Sequence, residues 1–170
     1  MADKSRAVRR SQYISPFGVG AIVDMGNESL IAEDISKWQN NSGTVIHLGR
    51  LEKRLRIREF RMPPIPRSRW DRHPPKLPYF RFPQWVFCPS CRNMTLLKVK
   101  DEIKGKVPKC TNLKCRSRRE LVPMRFVMAC EKGHLSDVDW HYWAHAKQHI
   151  SKDGRCSNGQ LSFISIECNS

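Results

Sequence analysis

Cys88-Pro89-Ser90-Cys91 and Cys110-Thr111-Asn112-Leu113-Lys114-Cys115 set four thiols in two short turns, with 18 residues between them. A tight turn between two nearby cysteines puts both sulfurs on one side. Two such turns facing each other complete a tetrahedron, and thiolates at about 2.3 Å suit zinc. The first pair has the usual knuckle spacing; the second, with four residues inside, is looser. Met94 to Lys109 is expected to form two short strands around a turn at Lys104-Gly105-Lys106, the layout of a zinc ribbon over residues 85–120. Four protein ligands close the shell and leave no position for a catalytic water. Such a site is a staple, whose binding free energy becomes folding free energy.

The rest of the composition explains why a staple is needed. Only 39% of the 170 residues are hydrophobic, and mean hydropathy is −0.58. A core that limited often depends on a metal or a disulfide. No stretch approaches the roughly 18 apolar residues of a membrane span. The opening Met1-Ala2-Asp3-Lys4-Ser5-Arg6 is charged with no apolar run behind it, unlike a secretory signal. The expected location is therefore cytoplasmic, where the seven cysteines meet a reducing medium and serve as ligands or free thiols.

Charge is segregated. Residues 50–125 hold 22 basic and six acidic side chains, net +16, while both flanks are near neutral. Such a block points to a polyanion-binding face, because phosphate is attracted whatever the base sequence. Candidate phosphate contacts are Arg54, Arg56, Arg58, Arg67, Arg69, Lys104, Lys106, Arg118 and Arg119. Their role would be electrostatic positioning without sequence readout.

Four segments follow. Residues 1–62 form an N-terminal α/β part with a basic arm. A buried-strand pattern at Ala21–Met25 is followed by a Gly26-Asn27 turn and a returning strand at Ser29–Ala32. Asp34–Trp38 reads as a helical turn, Asn40–Gly43 as a loop and Thr44–Leu48 as a strand. Leu48, Leu51 and Leu55 keep helical spacing among arginines, so residues 49–61 read as a basic helix or an extended arm. Residues 63–84 are a connector, since seven of the eleven prolines lie between 63 and 83. Its interleaved Arg67, Trp70, Tyr79, Phe80 and Arg81 either track a phosphate backbone and stack on bases or pin the loop to the fold. Residues 85–120 are the ribbon. Residues 121–170 read as strand, helix and strand: Arg125–Ala129, a helix capped by Ser136 and running to about His149 with Trp140 and Trp143 packed on one side, and a closing strand at 161–167. The expected class is α+β, with small mixed β segments, the zinc-ribbon module and one C-terminal amphipathic helix.

A weaker metal set is Cys130, His134, Cys156 and Cys168, in which only Cys130-Glu131-Lys132-Gly133-His134 has ligand-like spacing. Ile166-Glu167-Cys168-Asn169-Ser170 reads as the first half of a further knuckle, one residue short of its second cysteine. The chain is therefore expected to be part of a longer protein. Catalytic motifs fail on inspection. His141, His145 and His149 share a helix face, but Tyr142 stands where a zincin needs its glutamate. No histidine is followed two residues later by Glu, as a zinc deaminase requires. Gly18-Val19-Gly20 lacks the Gly-Lys-Ser/Thr of a phosphate-binding loop. The reading is of a protein that is not an enzyme and takes no small-molecule substrate.

Arg10-Ser11-Gln12 and Phe17-Gly18-Val19-Gly20-Ala21-Ile22-Val23-Asp24, together with the run from Leu121 to Asp137 and then Trp140, Trp143 and His145, resemble the DrmB family of DISARM anti-phage systems. The resemblance is ordered along nearly the whole chain. It implies a partner of a helicase-like ATPase, DrmA, in a complex that engages foreign DNA. It also implies a larger helicase-associated region that this sequence lacks. In the family the motor hydrolyses ATP, and the DrmB-like subunit supplies cysteine-rich structure and partner contacts. The expectation is a non-catalytic zinc-binding subunit that touches DNA electrostatically. Its competitors are a basic protein–protein scaffold without DNA binding and a metal-dependent nuclease built on His141, His145 and His149.

Overall fold

The computed structural model describes residues 9, 11–38, 43–64, 75–102, 106–146, 156 and 159–164. Along them run β1 (Ile22–Met25), β2 (Glu28–Ala32), β3 (Thr44–Ile46), α1 (Gly49–Leu55), β4 (Phe60–Met62), β5 (Tyr79–Arg81), β6 (Trp85–Phe87), β7 (Met94–Leu96), β8 (Val122–Pro123), β9 (Val127–Ala129), β10 (Leu135–Asp137) and α2 (Trp140–His145). The class is mixed, with short strands and two α-helices among the described residues. These residues divide into two units. One draws on 24–29 and on residues from 81 onward, the other on residues up to 23 and on 30–80.

Strand β6 is the axis of the first unit. It pairs antiparallel with β7 on one edge (Val86↔Thr95) and β8 on the other (Val86↔Pro123). Successive side chains of a strand point to opposite faces, and here both faces are buried. Val86 meets Cys88, Cys110, Cys115 and Leu121. Trp85 meets Met94 and Met124, with Phe87, Trp140, Leu161 and Phe163 around them. A three-residue strand is held by burial of this kind, since so short a ladder adds little of its own.

The segment between the cysteine pairs departs from the two-strand expectation. It carries β7 and then a 3₁₀ turn at Val99–Asp101, whose Asp101 carboxylate accepts from the Lys98 N–H. The other partner of β6 comes from beyond the second cysteine pair. The Leu121 N–H donates to the Pro108 carbonyl and Cys110 N–H to that of Arg119, so the second pair closes its own hairpin and delivers β8 to β6.

The C-terminal helix also begins later than expected. Ser136 is not its cap: it lies within β10, opposite Met128 of β9. Asp139 caps instead, accepting from the Tyr142 N–H at 2.9 Å. The Asp137 carboxylate takes the N–H groups of Gln84 and Trp85, tying the hairpin to β6. At about 100° per residue, the half-buried arc of α2 covers Trp140, His141 and His145. Trp143 falls outside it and is 64% exposed, contrary to the expectation that both tryptophans pack. Leu161–Phe163 runs beside β7, with Met94 N–H donating to Leu161 O and Phe163 N–H to Arg92 O. The rest of the expected closing strand and His149 lie outside the described residues.

In the second unit Tyr13, Ala32 and Trp38 form the core, with Ile35, Leu77 and Tyr79 against them. Burial pushes the Tyr79 hydroxyl up to about 12. The Asp34 side chain accepts from the Ser36 N–H and starts the expected turn at Ile35–Lys37. β3 and β4 pair antiparallel, from Thr44↔Met62 to Ile46↔Phe60. α1 realises the helical option, but its apolar stripe of Leu48, Leu51 and Leu55 is exposed. The end of the proline-rich segment becomes β5, in the sheet ordered β1-β2-β5. Among the described residues no helix is long and apolar enough to cross a membrane.

Gly43 marks a close approach. Its φ is +139°, and a Cβ there would stand 2.8 Å from the Met62 carbonyl oxygen and 3.2 Å from the Trp38 ring. The obstacles are backbone and a buried indole, so neither can yield easily. Gly43→Ala is expected to destabilise by roughly 1–3 kcal/mol. A urea midpoint equal to wild type would refute this.

Candidate metal centre

The ligand geometry grows from the two turns. In the first, Arg92 adopts φ 60°, its N–H donates to the Cys88 carbonyl at 2.8 Å, and the Cys88 N–H donates to Asn93 O. In the second, the Cys115 N–H donates to Asn112 O, the Lys114 N–H to Asn112 Oδ1, and Arg118 takes φ 37°. These left-handed positions turn the backbone sharply behind a cysteine. The four sulfurs of Cys88, Cys91, Cys110 and Cys115 all lie within 4.8 Å of one another. Cys88 Sγ is 3.9 Å from Cys115 Sγ, and Cys91 Sγ is 3.7 Å from Cys110 Sγ. A tetrahedron with arms of about 2.3 Å has edges of about 3.8 Å. The thiols are free, and a disulfide needs sulfurs near 2.05 Å. These residues therefore fit a tetrahedral thiophilic ion.

The surroundings match that chemistry. Cys88, Cys110 and Cys115 are buried against Val86 and Leu121, and Cys91 is half-buried. The Asn112 amide points at Cys91 Sγ at 3.7 Å, and the Ser117 hydroxyl lies 3.6 Å from Cys115 Sγ. The Ser117 hydroxyl, joined by the Arg118 and Ser117 N–H groups, holds the Cys115 thiol down to about 6. Burial pushes Cys110 up to about 12. Metal binding to such a set releases thiol protons.

The expected second set is not gathered at one point among the described residues. Cys130 Sγ lies 3.4 Å from His134 Nδ1 in the β9–β10 loop, where Gly133 takes φ +81°. Cys156 Sγ instead lies 3.2 Å from His145 Nε2 of α2. Cys168 is outside the described residues.

A family model described as a domain of unknown function, DUF8724, matches residues 9–170. The chain belongs to the DUF8724 family. This DUF8724 chain is also similar to the DISARM protein DrmB of Bacillus paralicheniformis (strain ATCC 9945a / NCIMB 11709 / CD-2). The two are 29% identical over 158 residues, covering 86% of this chain and 26% of DrmB. The chain thus spans about a quarter of that relative's length.

The basic candidates of the DUF8724 chain fall on both units. Lys106, Arg118 and Arg119 are exposed beside the cysteine centre. Arg54, Arg56 and Arg58 are exposed at and after the end of α1. Arg67, Arg69 and Lys104 lie outside the described residues. One charged group, read from the sequence only as part of the basic connector, has a different setting. Arg81, at the end of β5, is buried between the carboxylates of Glu28 and Glu102. Nothing local in Phe80-Arg81-Phe82 marks it, because its partners lie 53 and 21 residues away.

Proposed function

We propose that this chain is the zinc-stapled, non-catalytic part of a DISARM-type anti-phage component, acting in the cytoplasm beside a helicase-like ATPase and holding DNA through phosphate contacts. The likeness to the DISARM protein DrmB over 86% of the chain carries the reading. The closed set of four cysteines supports it, since such a set braces a fold and leaves no site for a reacting water. In this reading Lys106, Arg118 and Arg119 neutralise phosphates near the metal module, and Arg54, Arg56 and Arg58 do so elsewhere on the chain. Arg67, Arg69 and Lys104 belong to the same basic block.

Fluorescence anisotropy with a duplex oligonucleotide at two salt concentrations tests the DNA part. Affinity should fall steeply with salt, by about 0.9 in log–log slope for each phosphate neutralised. Removing Arg118 and Arg119 together should weaken binding uniformly across sequences and reduce the slope by about two. Absence of binding at low salt, with and without the ATPase subunit, leaves a protein–protein scaffold as the reading and defeats DNA contact.

A further inference from the structure

We propose that the chain holds a second metal ion, on Cys156 and His145, and not on the Cys130–His134 pair. Three observations converge. His145 Nδ1 lies 2.7 Å from the backbone carbonyl of His141. A carbonyl only accepts, so Nδ1 carries the proton and Nε2 presents its lone pair. Metal-binding histidines are commonly oriented in this way, by giving their other N–H to a backbone carbonyl.

Nε2 faces a soft ligand. Cys156 Sγ stands 3.2 Å from it. A zinc-type ion with arms of about 2.3 Å to sulfur and about 2.05 Å to nitrogen separates the two donors by about 3.6 Å, a small outward adjustment from the present spacing. Both residues reach the surface, so an ion can enter and the displaced thiol proton passes to water.

The third observation is at Gly159. A Cβ there would stand 2.5 Å from Cys156 Sγ and 3.9 Å from His141 Nδ1. Gly159 therefore lies close to the sulfur, and a side chain there would have to push it aside. The same point lies beside a second imidazole of α2, one turn from His145. His141 is itself steadied by its ring contact with Trp85 at 5.6 Å. The ion would be borderline-soft, such as zinc or cobalt, held by the Cys156 thiolate and the His145 imidazole with its remaining positions left to water.

Native mass spectrometry of the full chain, reduced and saturated with zinc alone, counts the ions. Two per chain are expected in the wild type, and one in each of His145→Ala, Cys156→Ser and Gly159→Ala. The remaining ion reports that the four-cysteine module is intact. Cys130→Ala should keep two. A wild type that saturates at one ion overturns the proposal. So does retention of two ions in both His145→Ala and Cys156→Ser, or loss of one in Cys130→Ala. Should the variants fail to fold, cobalt titration of the wild type decides. The second equivalent should add d–d absorption with weaker thiolate charge transfer than the first, as one sulfur does against four; no second spectral phase defeats it.

Discussion

Cys88→Ser should leave the chain without the metal of its four-cysteine centre and without a folded β6 module. Cys88 is fully buried, and its sulfur sits 3.9 Å from Cys115 Sγ against Val86 and Leu121. A serine oxygen is shorter and harder than a thiolate, so it cannot reach the ion on the same arm or bind it as well. Structural zinc sites contribute apparent binding free energies of about 10–16 kcal/mol, whereas whole domains are stable by about 5–15 kcal/mol. Losing the ion thus removes as much free energy as the domain has to lose. The near-ultraviolet dichroism of Trp85 should collapse in Cys88→Ser, and a strong zinc chelator should do the same to the wild type. Retained signal with no bound metal would show that the hydrophobic contacts around Val86 suffice by themselves.

The cysteine centre was legible because its information is local. Two short cysteine spacings and the ligand chemistry of sulfur specify four donors without reference to the rest of the chain. The Gly26-Asn27 turn and the helical turn beginning at Asp34 were legible for the same reason. What depended on distant partners was not. Ser136 and Asp139 are both good helix caps, and the choice between them is made by β9, which draws residues 135–137 into a hairpin before the helix can begin. Among the described residues the segment after Cys91 pairs only β7 with β6, because residues 108–110 pair with 119–121 and send β8 to the open edge of β6. Cys156 has only its chain distance in the sequence, whereas its contact with His145 is a matter of tertiary structure. Arg81 was equally hidden, since only the sheet order β1-β2-β5 brings Glu28 to it.

Arg81→Ala should destabilise the chain by about 3–5 kcal/mol, the range for removing one partner of a buried ion pair. The Arg81 side chain is 7% exposed, that of Glu28 9% and that of Glu102 31%. Arg81 Nη2 donates to Glu28 at 2.9 Å, while Nε and Nη2 together engage Glu102. The planar guanidinium serves two carboxylates at once, which a single ammonium on a flexible stem does poorly. Arg81→Lys should therefore recover only part of the loss. The cost arises chiefly at the buried Glu28 carboxylate, which loses its charge-assisted bond to the guanidinium. Glu102, one-third exposed, can turn to water. Combining Arg81→Met with Glu28→Leu removes both buried charges and should be much less harmful than Arg81→Ala alone, because no desolvated carboxylate remains. Urea unfolding of the metal-loaded single and double variants measures the ordering. A double variant less stable than Arg81→Ala would mean that the triad contributes net attraction beyond compensating its own burial, and would place Arg81 among the residues that hold β5 to β2 by charge.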